Sequence, residues 1–165
     1  SLDVRHQQTA HQPVRVVMDR RLRMTVGHRL ADTSLQQTWV LVDGEQRIDE
    51  ARARRLSEAG VRIETVTADS AEEPWLHAVL AQLLEHGLHS ILVEGGATLA
   101  GALVRAKLVD RLELLLAPKL LGNGAPLWHA LNIGRIDDAL ALDIEHLDRV
   151  GDDIHISAVF EAGSG

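Results

Sequence analysis

The residues best suited to chemistry are two consecutive glycines between an apolar run and a series of small residues. In the segment ILVEGGATLAGAL, residues 91–103, this pattern predicts a strand, a glycine turn and a buried helix. The first turn of a helix has unpaired backbone N–H groups and a partial positive charge, so it attracts anions. Glycines let a phosphate approach the backbone closely. The segment therefore predicts a phosphate site, although tight packing of a helix on a sheet would favour the same residues.

Two side chains near the glycines could contribute to such a site. Thr98 offers a hydroxyl donor, and Glu94 precedes the glycines at the end of the predicted strand. A carboxylate there could accept hydrogen bonds from sugar hydroxyls or ring N–H groups, or it could be an ordinary exposed loop acid. The segment matches neither the dinucleotide-binding pattern G-x-G-x-x-G nor a P-loop, so alone it does not define a function.

The elements that must position this turn alternate along the chain. Hydrophobic patterns predict strands at 14–19, 38–43, 61–67, 90–95 and 112–118, helices at 47–59, 74–86 and 97–107, and a C-terminal hairpin at 142–160. This order predicts an α/β fold, with a mostly parallel sheet between helices and antiparallel strands at one edge. The run at 90–95 is continuously apolar in its middle, which predicts a central strand covered on both faces.

Composition excludes several classes of protein. The 165 residues include no cysteine, which rules out a disulfide scaffold and any cysteine-ligated metal, and only four aromatic residues, too few for a platform that stacks nucleic-acid bases. No apolar run approaches the length of a membrane span, so we expect no membrane association and a cytoplasmic location. We also expect no metal site. The net charge is −7, yet the first 30 residues carry six arginines and two aspartates. That cluster favours a small phosphorylated ligand over long nucleic acid.

Four segments taken together resemble the riboflavin-biosynthesis pyrimidine reductases, which form the C-terminal half of the bifunctional bacterial deaminase–reductase. They are residues 91–103, LVDRLELLLAPKLLGNGAP at 108–126, DRVGDDIHISAVF at 148–160 and PVRVVMDRRLRM at 13–24. The resemblance implies a dihydrofolate-reductase-like fold and a homodimer. It also implies that NADPH reduces the ribosyl group of a phosphoribosylaminopyrimidine to the ribitylamino phosphate.

The same resemblance implies roles for individual residues. Glu94 would contact substrate, and Arg20 would lie beside the adenosine end of NADP, where a guanidinium can grip a 2′-phosphate. SLDVR at residues 1–5 resembles the end of the family loop D-D-P-x-L-x-V-R, so Leu2 and Arg5 would also contact substrate. The dinucleotide phosphates would be bound by Gly96, Ala97, Thr98, Leu99, Ala100, Gly101 and Ala102.

The start of the chain leaves alternatives open. Residues 1–165 are expected to form a single reductase domain without the strand and helix that precede this loop in the family, and without the zinc deaminase domain. The catalytic acid is not identified by any motif. A non-catalytic NADP-binding or dimerisation fragment therefore remains an alternative. A dihydrofolate-reductase-like enzyme with another pyrimidine or pterin substrate is a further one.

Overall fold

A computed structural model describes residues 12–68, 71–122, 124, 126–129 and 131–160. The chain divides into two units, Ser1–Ser90 and Ile91–Gly165. The predicted contacts of Leu2 and Arg5 lie outside the described residues. Within the described part, no helix combines the length and the apolar character needed to cross a membrane.

The first unit contains a parallel sheet of three strands. They are β1 (Arg15–Met18), β2 (Thr38–Asp43) and β3 (Arg62–Val66), in the order β1-β2-β3. Every residue of β2 is buried, as expected for the middle strand of a sheet that is covered on both faces. The strands predicted at 14–19, 38–43 and 61–67 are therefore confirmed, and their carboxyl ends lie along one edge of the sheet.

The helices of this unit begin and end at recognisable signals. The first, α1 (Glu50–Glu58), starts three residues later than predicted because the Asp49 side chain accepts a hydrogen bond from the Arg52 N–H, which makes Asp49 the N-cap. The second, α2 (Glu72–Glu85), starts two residues before the predicted start at Pro74, since proline is tolerated in the first turn. Both are followed by a glycine with positive φ, Gly60 and Gly87.

The core of the first unit joins the sheet to α1 and to the loop after β1. A short 3-10 turn, Arg29–Ala31, lies in that loop. The clustered buried side chains are apolar and come from β2, this loop, α1 and the residue before β3: Leu22, Met24, Ala31, Val40, Val42, Leu56 and Val61. The loop after β1 is therefore held by hydrophobic burial, which fixes the backbone that follows Asp19.

The described residues of the second unit form an α-helix and an antiparallel sheet. The helix is α3 (Ala97–Arg105), and the strands are β4 (Arg111–Leu116), β5 (Leu142–Val150) and β6 (Asp153–Phe160) in the order β4-β6-β5. A second 3-10 turn, Ile136–Asp138, precedes β5. The hairpin predicted at 142–160 is confirmed, and Gly151 has the positive φ that its turn requires. The predicted strand at 112–118 and helix at 97–107 are also present.

The strand predicted at 90–95 is wrong. The segment has no regular secondary structure, and Leu92 is 77% exposed where a central strand would bury it. The described strands instead pair among themselves in two three-stranded sheets, one parallel and one antiparallel. An apolar run shows that side chains favour burial, but a strand forms only where a neighbouring backbone completes the ladder. The mixture of parallel and antiparallel strands with helices is as predicted.

Three polar side chains link β4 to β6 on one face of the antiparallel sheet. The Ser157 hydroxyl donates to Glu113 at 3.0 Å, and His155 Nε2 lies 2.7 Å from the other Glu113 oxygen. These two hydrogen bonds lower the pKa of the Glu113 carboxyl below its ordinary value of 4.5, against the opposing effect of desolvation, and the charges of His155 and Arg111 add to them. The folded state therefore favours the ionised carboxylate.

We expect the substitution Glu113→Gln to flatten the decline of stability in acid. A carboxyl whose pKa is lowered by folding stabilises the protein above its unfolded pKa, and this contribution is lost as the pH falls through the folded pKa. Thermal melts between about pH 6 and about pH 3 should show a smaller fall of the midpoint in the variant than in the wild type. Asp152→Asn, at a side chain 91% exposed, is the control. Equal declines in wild type and Glu113→Gln would contradict the prediction.

Candidate functional site

The N-terminus of α3 is open at the position where the sequence predicts a phosphate site. Gly96 is the N-cap, in extended conformation with φ −72° and ψ 171°, and no side chain caps the helix. The first turn contains no acidic residue, and both Gly95 and Gly96 are exposed. The N-cap residue thus supplies no side-chain acceptor to the backbone N–H groups of this turn, a geometry that suits an anion.

The two glycines differ in the space around them. A Cβ added at Gly96 would meet no atom within 4 Å, whereas one at Gly95 would lie 2.8 Å from Leu99 Cδ2. Gly95 therefore lets the Leu99 side chain fold back against the turn. Gly96 leaves an empty approach to the start of the helix, as a phosphate-binding turn requires.

Gly101 has a different reason to be glycine. A Cβ there would lie 2.1 Å from the carbonyl oxygen of His129, and the His129 N–H donates to the carbonyl oxygen of Ala97 at 3.0 Å. The backbone at His129 therefore packs directly against α3. Gly101 and Ala102 are buried, while Gly96 and Thr98 are exposed. Within the predicted phosphate-binding residues 96–102, the start of the helix is the part that a ligand can reach.

Glu94 lies two residues before the N-cap of α3. It is exposed, and the residues around it form no strand. The described structure gives its carboxylate no ion-pair partner, which agrees with the exposed position. Its role toward substrate stays a prediction.

Arg20 lies in the first unit, two residues after the end of β1, and contacts two other side chains. Its Nε donates to Asp43 Oδ2 at 2.9 Å, and its Nη2 donates to the same oxygen. The guanidinium carbon lies 5.2 Å from the centre of the Trp75 ring. The Arg20 side chain keeps 30% of its exposure, while that of Asp43 has none. A partly exposed cation with a fixed orientation thus lies at the carboxyl edge of the parallel sheet, where ligands of open α/β sheets bind.

Asp43 is an acid that sequence patterns did not single out. It ends β2, it is buried, and its Oδ1 accepts a hydrogen bond from the Glu45 N–H at 3.0 Å. Burial disfavours the charged carboxylate, but the hydrogen bonds from Arg20 and Glu45, with the charge of Arg20, outweigh it and lower the pKa of Asp43. Trp75, in the first turn of α2, was likewise not predicted. The one feature of the sequence that could have indicated Trp75 is its position shortly after the connection from β3 to α2, which starts at the same edge of the sheet.

Comparison with known proteins identifies the class of this chain. The profile described as "RibD C-terminal domain" matches residues 1–156, so the chain belongs to that family. Acinetobacter baumannii RibD, form 2, shares its fold, with a TM-score of 0.73 at 22% identity over 96% of this chain and 42% of that one.

Two sequence relatives match most of this chain. The riboflavin biosynthesis protein RibD of Bacillus amyloliquefaciens is 30% identical over 99% of this chain and 43% of its own length. The 5-amino-6-(5-phosphoribosylamino)uracil reductase of Buchnera aphidicola subsp. Acyrthosiphon pisum is 23% identical over 87% of this chain and 66% of its own length. The chain thus spans less than half the length of the Bacillus protein and about two thirds of the Buchnera one.

We expect Gly101→Ala to destabilise the protein by about 1–3 kcal/mol, because the added methyl group would force α3 and the His129 backbone apart. Alanine normally stabilises a helix interior relative to glycine, so the sign of the change is diagnostic. Urea unfolding measures the free energy. Gly134→Ala is the matched control, since a Cβ there meets nothing within 4 Å. A stabilised Gly101→Ala variant would show that the contact is absent in solution.

Proposed function

We propose that this chain is the reductase domain of a riboflavin-pathway enzyme. The reaction is the NADPH-dependent reduction of the ribosyl group of 5-amino-6-(5-phosphoribosylamino)uracil to the ribitylamino phosphate. Membership of the RibD C-terminal domain family and the name of the Buchnera relative support this reaction. The uncapped, glycine-lined start of α3 is the observation that carries the proposal, because it offers a dinucleotide phosphate both donors and space.

Different residues bind the cofactor and the substrate. NADPH, when bound, supplies the hydride that reduces C1 of the ribosyl group. The backbone N–H groups at the start of the 96–102 segment bind the dinucleotide phosphates, and Arg20 binds the 2′-phosphate. Glu94 accepts hydrogen bonds from the substrate, and Leu2 and Arg5 complete the substrate contacts. Orientation of the two reactants by these groups accounts for catalysis without a metal ion.

A homodimer in the cytoplasm is part of this proposal. Several large apolar side chains share one face of the antiparallel sheet and are about half exposed or more: Leu116, Ile144, Leu147 and Ile154. An exposed apolar face of this kind supports association between copies of the chain.

Substitutions at Gly96 test the phosphate site directly. Gly96→Ala should weaken NADPH binding by about tenfold, because its methyl group enters the approach to the helix start. Gly96→Asp should weaken it by about 100-fold or more, because the carboxylate caps the same N–H groups and repels phosphate. Fluorescence titration measures the Kd, and thermal melts should show both variants folded. Gly134→Ala should bind as the wild type does. Unchanged Kd values in both Gly96 variants would exclude this turn as the phosphate site.

Turnover tests the substrate side. Mixing the chain, NADPH and 5-amino-6-(5-phosphoribosylamino)uracil should lower the nicotinamide absorbance. Glu94→Gln should lower kcat/KM for the substrate by about 10- to 100-fold through the loss of charge-assisted hydrogen bonds. Its Kd for NADPH should stay unchanged, and Glu58→Gln, an exposed acid at the end of α1, is the control. Binding of NADPH without any turnover would instead identify a cofactor-binding module.

A further inference from the structure

The pair of Arg20 and Asp43 has a feature that the proposed reaction does not use. Two donors of one guanidinium are directed at a single oxygen of a carboxylate whose side chain has no exposure. The other Asp43 oxygen accepts from the Glu45 N–H. Both oxygens of Asp43 are therefore engaged inside the protein, and a ligand cannot reach either of them.

This burial decides what the acid at the end of β2 can do. In many dinucleotide-binding sheets, an acid after the second strand accepts a hydrogen bond from the ribose 2′-hydroxyl and thereby selects NADH. Asp43 is at a comparable place in its sheet, but its burial prevents that contact. Any effect of Asp43 on a ligand must therefore pass through Arg20.

Trp75 supplies a second constraint on the same guanidinium. Trp75 is buried, with 3% exposure, and the guanidinium carbon of Arg20 lies 5.2 Å from the centre of its ring. Asp43 fixes the edge of the planar guanidinium while Trp75 fixes its face, so little rotational freedom remains. If Arg20 moved away from Asp43, the buried carboxylate would be left without a compensating charge, which would strongly destabilise the folded state.

We infer that Asp43 is a positioning residue that sets the preference for NADPH over NADH by holding Arg20 against Trp75. The inference rests on the proposed function, in which Arg20 binds the 2′-phosphate. The two cofactors differ only in this phosphate, so a guanidinium already oriented for it improves the affinity of NADPH alone. Without Asp43, Arg20 keeps its charge but loses the orientation that favours a planar, directional contact.

The test compares Asp43→Asn with Glu64→Gln in the otherwise intact chain. Glu64 offers a matched control because its carboxylate pairs with Arg62, and that guanidinium lies 4.2 Å from the centre of the Trp39 ring. Each substitution therefore removes the carboxylate charge that pairs with an arginine, and each of these arginines lies over a tryptophan ring. Asparagine and glutamine preserve the shape of the acids that they replace.

We expect Asp43→Asn to raise the Kd for NADPH by about tenfold and to leave the Kd for NADH within about twofold. Glu64→Gln should change neither Kd. In turnover, Asp43→Asn should raise the KM for NADPH while kcat at saturating NADPH is retained. If Asp43 had a purely structural role, its substitution would lower the melting temperature and weaken the binding of both cofactors equally. An unchanged ratio of the Kd for NADPH to the Kd for NADH would therefore overturn the inference.

Arg20→Lys gives a second test if Asp43→Asn does not fold. Lysine keeps the charge that Asp43 needs but loses the planar fork. The affinity for NADPH relative to that for NADH should therefore fall by about tenfold, as in Asp43→Asn. A ratio equal to that of the wild type would overturn the inference. A wild-type chain that binds neither cofactor would refute the proposed function itself. A preference for NADPH that Arg20→Lys lowers but Asp43→Asn leaves unaltered would refute only the role of Asp43. A preference that Arg20→Lys also leaves unaltered would refute the binding of the 2′-phosphate by Arg20 as well.

Discussion

A buried carboxylate must be paired, and the pairing of Asp43 organises one edge of the parallel sheet. Asp43 ends the fully buried strand β2, so its charge lies where water cannot solvate it. Arg20 supplies the compensating charge from the loop after β1, and Trp75 supports the guanidinium from the start of α2. Three connections of the first unit therefore converge on one cation. The loop after β1 can hold this geometry because apolar residues such as Leu22 anchor it to the core.

The second unit uses backbone groups where the first uses side chains. At the start of α3 the donors are N–H groups without a side-chain cap, and Gly96 keeps the approach to them open. Farther along the same helix, Gly101 admits the backbone of His129. The N-cap glycine and the interior glycine of α3 thus differ, because the first leaves open space and the second makes room for another part of the chain.

Sequence patterns predicted what depends on local periodicity. The strands β1 to β3, the three helices and the C-terminal hairpin all follow from spacing and turn residues within a short window. The segment at 90–95 failed because its apolar run specifies burial but not a partner strand. Asp43 and Trp75 were missed because their importance arises from contacts with Arg20, which lies far from both in sequence. The close contact at Gly101 depends on a loop whose position no local pattern encodes.

The open approach at Gly96 has a practical consequence in a chain without cysteine. A cysteine introduced at Gly96 would be the sole thiol among these 165 residues, at an exposed position where its Cβ meets no other atom within 4 Å. A thiol-reactive fluorophore or spin label would therefore attach at one defined position, the N-cap of α3. The open space at Gly96 thus allows selective labelling of this position in the 165-residue chain, without prior removal of competing thiols.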